Sequence, residues 1–566
     1  MSGKKQGNQP KTHGSTAILT SAQTEEQEVT TEVDDKIVND FSEEKEPSLR
    51  IVKPGAATEA KGGLRRLDPW TTLVPFIAIA VLCIFFITKP EESTEVLGNV
   101  RGFLGDSFGS YYLVIGLGIF LISLWISFSR IGKIRLGGQN AKPKFKFWTW
   151  GAMVFTCGLA ADILFYSFCE WIYYSQESHV QDLGATQEWA QTFTLFHWGP
   201  IPWAFYAVLA AAFGFMLHVR GKKKQKFSEA CRPILGKYTD KAPGKAIDVI
   251  AVVALIAGTA TTFSVATPLL SAALSDLFGI ESSKYITIAI LAVTCCLYTF
   301  SVMKGLKGIS MSAQICMYLF IGLLSYVFLF GGQTRYIVET GLSSLGNMVQ
   351  NFFGLSTYTD ALRENSFPQN WTIFYWAYWM VWCVASPFFM GSISKGRTVK
   401  QIIMGTYIFG LLSTFISFII LGNYGMGQQL TGGFDAVGLY EACGDLYQTV
   451  IGIIHTLPVP QIVLIVLIVS MIAFYSTSFD SITLVASQYS YKEFKGDEEP
   501  SKKTKLFWAM LLILLPIALI FSESSMANMQ SVSIIAAFPI GLVIILIVAA
   551  FVKDAKKYAN EIKIPV

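Results

Sequence analysis

The apolar positions of this chain fall in long blocks rather than in stripes. Twelve runs of roughly 20 residues, the length that crosses a bilayer core as a helix, occupy 71–88, 111–129, 147–168, 193–219, 247–274, 285–302, 311–330, 371–393, 402–421, 462–485, 506–521 and 532–552. A soluble core would not need a dozen such blocks, so the pattern predicts an all-α integral membrane protein of twelve transmembrane helices. Two further stretches are not expected to cross. Residues 336–353 are moderately amphipathic and suit an interfacial helix on the outer side. Residues 436–457 begin too polar to cross and predict short external helices. Residues 1–67 are polar, with an acidic stretch from Glu25 to Glu46. They predict a disordered tail and no cleavable leader.

Composition agrees with this pattern and charge adds an orientation. The chain is 52% hydrophobic and 15% charged, against about 25% charged in an average soluble domain. Lys and Arg alternate strictly between loops. Six lie between Arg130 and Lys146, nine between Arg220 and Lys245, and five between Lys492 and Lys505, whereas 171–192 and 422–461 have none. Read with the positive-inside rule, this places the even-numbered loops and both termini in the cytoplasm of a multi-pass plasma-membrane protein. Nine cysteines are scattered, most of them in apolar blocks and none in a C-x-x-C pair, which predicts packed thiols rather than disulfides or metal ligands.

The candidate chemistry is aromatic. Span 4 opens Phe196-His197-Trp198-Gly199-Pro200-Ile201-Pro202-Trp203-Ala204-Phe205-Tyr206. Span 8 holds Tyr375, Trp379 and Trp382 at spacings of four and three, which share one helix face. An interfacial belt explains one or two such rings per span. A cage for a methylated cation explains the density within the helix, because a quaternary ammonium has no N–H to donate and is held by aromatic faces. The pattern alone leaves cage and packing both open. Span 3 carries a small-residue run, Cys157-Gly158-Leu159-Ala160-Ala161, followed by Asp162. The run permits unwinding, and an ionisable group at that depth is a functional candidate. Hydroxyls at Ser476, Thr477 and Ser478 beside Asp480, and at Thr259, Thr261, Thr262 and Ser264, suit either a hard cation or helix packing. His197 suits a proton relay or a structural role.

Together, His197-Trp198 with Pro202-Trp203 and Tyr206, the run from Trp371 to Trp379, and Ile393-Ser394-Lys395-Gly396-Arg397 resemble the betaine/choline/carnitine transporter family over spans 3 to 12. The resemblance implies a LeuT-like core of two inverted five-helix repeats. The first occupies 131–331 and the second 371–552. Two additional helices precede the core at 68–130, an external segment with the interfacial helix covers 332–370, and a short cytoplasmic tail covers 553–566. It also implies a homotrimer. Mapped onto this chain, the family's aromatic box is Trp198, Trp203, Tyr206 and Trp379. Trp382 and Ala160 lie on the translocation route, and Phe165 closes over the substrate. Thr477, Ser478, Leu159 and Thr259 mark candidate sodium sites, although Leu255 lacks the hydroxyl expected there. Asp162 stands where sodium-coupled betaine carriers have glycine, which resembles proton-coupled choline carriers.

The expectation is therefore import of a quaternary-ammonium solute, choline by proton symport through alternating access, with Asp162 binding substrate and coupling the proton. The alternative is sodium- or proton-coupled uptake of glycine betaine, carnitine or a related betaine. A sensor lacks a soluble signalling domain here, and no nucleotide loop, metal-ligand cluster or nucleophile–base set supports an enzyme. Neither a cofactor, beyond H+ or Na+ as coupling ion, nor a nucleic-acid partner is expected.

Overall fold

A computed structural model describes residues 58–59, 66–158, 160–222, 224–281, 283–304, 306–492, 498–521 and 526–564. The expected tail thus lies almost wholly outside the described residues. Among the described residues the architecture is helical, apart from a two-residue parallel pairing of Thr58–Glu59 with Glu498–Glu499 and two isolated bridges, Leu67 with Tyr491 and Arg135 with Thr398. In chain order the longer helices are α1 Pro69–Thr88, α2 Pro90–Ser107, α3 Gly109–Phe128, α4 Phe147–Cys157, α5 Ala161–Gln176, α6 Thr186–His197, α7 Pro200–His218, α8 Ala242–Phe278, α9 Lys284–Lys304 and α10 Leu306–Phe330. They continue with α11 Thr334–Thr357, α12 Ile373–Trp382, α13 Ser386–Ile393, α14 Val399–Ser417, α15 Asn423–Leu430, α16 Ala436–Cys443, α17 Leu446–His455, α18 Pro460–Tyr489, α19 Lys502–Phe521 and α20 Met526–Glu561.

Every expected span is helical, but not every one is a full-length apolar rod. Among the described residues seven helices or helix runs are long and apolar enough to cross a membrane, and ten if three bent pairs are each counted as one span. The bent pairs are α4 with α5 (66°), α10 with α11 (112°) and the Pro368–Trp382 run with α13 (54°). Expected spans 285–302 and 462–485 have shorter apolar runs, Lys284–Thr299 and Pro460–Ser476. The third expected span does not stop at 168. α5 continues to Gln176, and α6 begins at Thr186, so most of the loop expected at 171–192 is helix. Those residues are polar enough to read as loop; Trp171, Ile172, Tyr174 and residues 190–192 are buried, whereas residues 181–185 between them are exposed. α2 was not expected at all, since Glu91, Glu92, Glu95, Arg101 and Asp106 obscure its apolar face.

Burial sorts the helices by their surroundings. α1 exposes Ile77, Val81 and Ile84, apolar surface that suits lipid rather than water. α7 is enclosed, with every residue from Ile201 to Met216 buried. Its tightest neighbour is α13, where Gly214 faces Gly391. A Cβ on Gly391 would lie 2.7 Å from the Gly214 nitrogen and 2.9 Å from the Ala210 carbonyl oxygen. Both are backbone atoms that cannot swing aside, as in other small-residue helix contacts. Gly391→Ala is expected to destabilise the protein by about 1–3 kcal/mol, seen as a lowered thermal midpoint in detergent. An unchanged midpoint would show that the crossing has slack.

The family-like run from Ile393 to Arg397 closes one end of the bundle. Leu136 N donates to Arg397 O (2.9 Å), Gly396 N to Leu136 O (2.8 Å) and Val399 N to Ile134 O (2.9 Å). Gly396 has φ +83°, and a Cβ there would lie 2.3 Å from the Lys142 carbonyl, so only glycine fits. The Arg397 guanidinium lies 4.3 Å from the Trp150 ring. Two basic loops distant in sequence are thereby clipped together. The last helix is held at the same Lys-rich end, where Arg220 forks onto Asp554 at 2.6 and 3.0 Å and Arg130 donates to Ile564 O at 2.6 Å.

Candidate functional site

The site forms where two helices break. α4 ends at Cys157, capped by Gly158, and α5 begins after Ala160, whose backbone is extended (φ −108°, ψ 163°). α12 ends at Trp382, and α13 begins at Ser386. Between the breaks lies a cavity. Its lining includes Gly158, Ala160 and Asp162 from the first break, Trp198 and Tyr206 from α6–α7, Tyr378, Trp379, Trp382 and Ser386 around the second, and Ser478 from α18.

The rings form a connected cluster with Trp379 at its hub. Its centroid lies 5.7 Å from that of Trp198, 5.3 Å from Trp203 and 5.1 Å from Tyr206. The planes meet at 57–74°, so the rings form walls rather than a stack. Trp198, Tyr206, Trp379 and Trp382 line the cavity. Trp203 does not line it. It stands behind, in a slot left by two glycines. A Cβ on Gly158 would lie 2.3 Å from its ring, and one on Gly410 2.4 Å. The four expected box residues are thus together, with three facing the cavity and Trp203 bracing Tyr206 and Trp379. Thr414 ties the wall to α14: its hydroxyl donates to the Trp198 carbonyl (2.9 Å) and lies 3.4 Å from the Trp203 indole nitrogen.

Asp162 sits in the first turn of α5, where free N–H groups and the positive helix end favour a carboxylate. It is only 2% exposed. Oδ2 accepts from the Tyr378 hydroxyl, and Thr262 Oγ1 lies 3.4 Å from the same atom. Tyr378 and Thr262 also bond to each other. Oδ1 is buried and has no hydrogen-bond partner among the described residues. A buried acceptor in this condition is costly unless something supplies a donor.

The remaining expected residues are more dispersed. Ala160 lines the cavity beside Asp162. Phe165 is outside the lining and packs on Tyr447 of α17 at 4.9 Å. Ser478 lines the cavity, whereas the Thr259 hydroxyl donates to Leu255 O of its own helix at 2.7 Å. Leu159 and the side chain of Thr477 lie outside the described residues. His197 uses both ring nitrogens, on the Tyr174 hydroxyl (2.6 Å) and Thr372 Oγ1 (3.0 Å). It therefore bridges α5, α6 and the start of span 8.

Two residues escaped the sequence reading. Tyr378 was hidden in an aromatic run, although a buried phenol needs a partner for its hydroxyl. Glu170 is fully buried and accepts from the Tyr174 hydroxyl and the Trp198 indole N–H, both at 2.6 Å. It fell just past the assigned end of span 3. The signal was available: Glu170 lies eight residues after Asp162, within about 80° of it around a helix and so inside one broad stripe.

Comparison with known proteins adds the context for this geometry. The model of the betaine/carnitine/choline family transporters matches residues 70–560. The glycine betaine transporter OpuD of Bacillus subtilis is 31% identical over 497 residues, covering 86% of this chain and 94% of that protein. The high-affinity choline transport protein of Escherichia coli is 28% identical over 500 residues (87% and 73%). A carnitine transporter of Acinetobacter baumannii is 25% identical over 481 residues (84% and 86%). Among solved structures, a Na+-coupled sialic acid symporter aligns at 14% identity with a TM-score of 0.41, over 78% of this chain and 85% of that one.

Proposed function

This chain belongs to the betaine/carnitine/choline family of transporters, and we propose that it imports choline by proton symport through alternating access. Family membership makes it a multi-pass membrane transporter of quaternary-ammonium solutes, not an enzyme. The finer reading rests on one observation, the Oδ1 of Asp162 in the wall of an aromatic cavity, which has no hydrogen-bond partner among the described residues. That oxygen can accept a hydrogen bond from the hydroxyl of choline. Against the carboxylate of glycine betaine it would repel, by about 3 kcal/mol for charges about 5 Å apart at an effective dielectric of about 20. Trp198, Tyr206 and Trp379 hold the trimethylammonium head in this reading, braced by Trp203, and Trp382 lies on the way out. Asp162 is ionised when the solute enters, which sets this preference, and takes up the coupled proton once choline is in place. Phe165, packed against α17, belongs to the outer closure.

The breaks beside the cavity suit helices that rock about the ligand, as the two-repeat arrangement implied by the family resemblance requires. The Lys-rich loops and both termini face the cytoplasm in this scheme, and the exposed Leu342, Val349 and Phe353 of α11 suit contact between copies in a homotrimer. The competing reading is sodium- or proton-coupled uptake of glycine betaine. It draws on the 31% identity to a glycine betaine transporter and on the Ser478 hydroxyl at the cavity.

Uptake of labelled choline and labelled glycine betaine into proteoliposomes tests the proposal, with proton and sodium gradients imposed separately. Choline accumulation driven by an inward proton gradient is expected. Betaine accumulation driven only by sodium would overturn both the substrate and the coupling ion.

A further inference from the structure

We propose that Glu170 is an electrostatic positioning residue of the cation cage, which acts through the indole of Trp198 and makes the cage select for charge as well as shape. The proposal rests on the reading that Trp198 faces the cationic head of the solute.

Glu170 is fully buried on α5, about 12 Å along the helix axis from Asp162 at the helical rise per residue. An indole N–H can only donate, so Glu170 Oε2 is an acceptor in its 2.6 Å contact with Trp198. At Oε1 the partner is Tyr174, whose oxygen also meets His197 Nδ1 at 2.6 Å. His197 Nε2 in turn meets Thr372 Oγ1 at 3.0 Å. One direction of donation satisfies the whole chain with a neutral imidazole. Thr372 donates to His197, His197 to Tyr174, and Tyr174 to Glu170, leaving a carboxylate with both oxygens accepting. The reverse direction would leave a neutral acid behind Trp198. The two differ in charge, and the experiment below separates them.

Among the described residues no Lys, Arg or His forms an ion pair with Glu170. A buried carboxylate without a cation is expensive and marks function by default. Its place in the molecule supplies the use. A charge-assisted bond to the indole N–H pushes electron density into the ring whose face attracts the cation. The carboxylate also adds its own potential in a medium of low dielectric. The incoming trimethylammonium becomes the counter-ion of Glu170, with the indole between them. An uncharged solute of the same shape gains none of this.

The test compares each cation with its carbon analogue: choline with the uncharged alcohol that has carbon in place of nitrogen, and glycine betaine with tert-butylacetate. Affinities are read by equilibrium competition against the labelled solute that wild-type protein holds. In Glu170→Gln the amide oxygen can still accept from Trp198, so the ring stays in place. The preference for cation over analogue is expected to fall roughly tenfold, with the affinity for the analogue itself nearly unchanged. Trp198→Phe keeps a ring and deletes the N–H. It is expected to lower the same preference, and adding Glu170→Gln to it should lower that preference little further. If cation and analogue weaken together in Glu170→Gln, or if the preference is intact, the residue only supports the fold or is neutral, and the proposal is overturned. Should Glu170→Gln not fold, an unchanged preference in Trp198→Phe overturns it equally. Failure of the choline reading appears instead in the wild-type protein, as a preference for glycine betaine. The ratio is then taken with the betaine pair.

Discussion

Trp379→Ala is expected to abolish saturable uptake. Its indole touches Trp198, Trp203 and Tyr206 at 5.1–5.7 Å between centroids and also lines the cavity. Truncation therefore removes one face of the cage and the common support of the other three rings. A desolvated cation–π contact is worth about 2 kcal/mol, and each ring–ring contact adds roughly 0.5–1.5 kcal/mol. Even partial loss raises the apparent KM by about a hundredfold or more, beyond the range in which saturation is seen. Trp379→Phe, which keeps a face, is expected to retain saturable but weaker uptake. Size-exclusion behaviour in detergent controls for folding. A near-normal KM in the alanine variant would remove the cage from the transport cycle.

The second large effect is expected at Asp162. Asparagine preserves size and an oxygen that can accept from Tyr378, but it cannot carry a proton or a charge. Asp162→Asn should lose proton-driven choline accumulation and its pH dependence while retaining exchange of labelled for unlabelled choline, with activity lowered about a hundredfold if charge and hydroxyl acceptor both contribute. Glycine betaine should compete better in the variant than in wild type, because the like charge is gone. Proton-driven accumulation of choline at wild-type rates in the asparagine variant would assign the coupling proton elsewhere.

Much of this architecture could be read from the chain because membrane helices declare themselves through length and apolarity alone. The helix expected at 336–353 is α11, and the short helices expected in 436–457 are α16 and α17. What escaped depended on pairwise contacts. Trp203 has the same composition signal as Trp198, but only the glycines at 158 and 410 reveal that it stands behind the cavity rather than in its wall. Glu170 was cut off because span assignment stops where polarity begins, whereas α5 stays largely buried to Tyr174, with Glu170 bonded to Trp198 and Tyr174 to His197 of α6. α2 carries five charges in eighteen residues and so carried no span signal. The small residues Gly158, Ala160 and Ala161 did announce a break, since they give little side-chain packing to hold a helix through.

The clustering of Trp198, Trp203 and Trp379 has a consequence for observing the protein as well as for binding. Three indoles this close, in fixed and non-parallel orientations, couple their excited states and give a near-ultraviolet circular dichroism signature that isolated tryptophans lack. A solute entering beside Trp379 changes the orientation and polarity of the coupled set. Occupancy of the cavity can therefore be followed optically in the unlabelled protein, without attaching a probe.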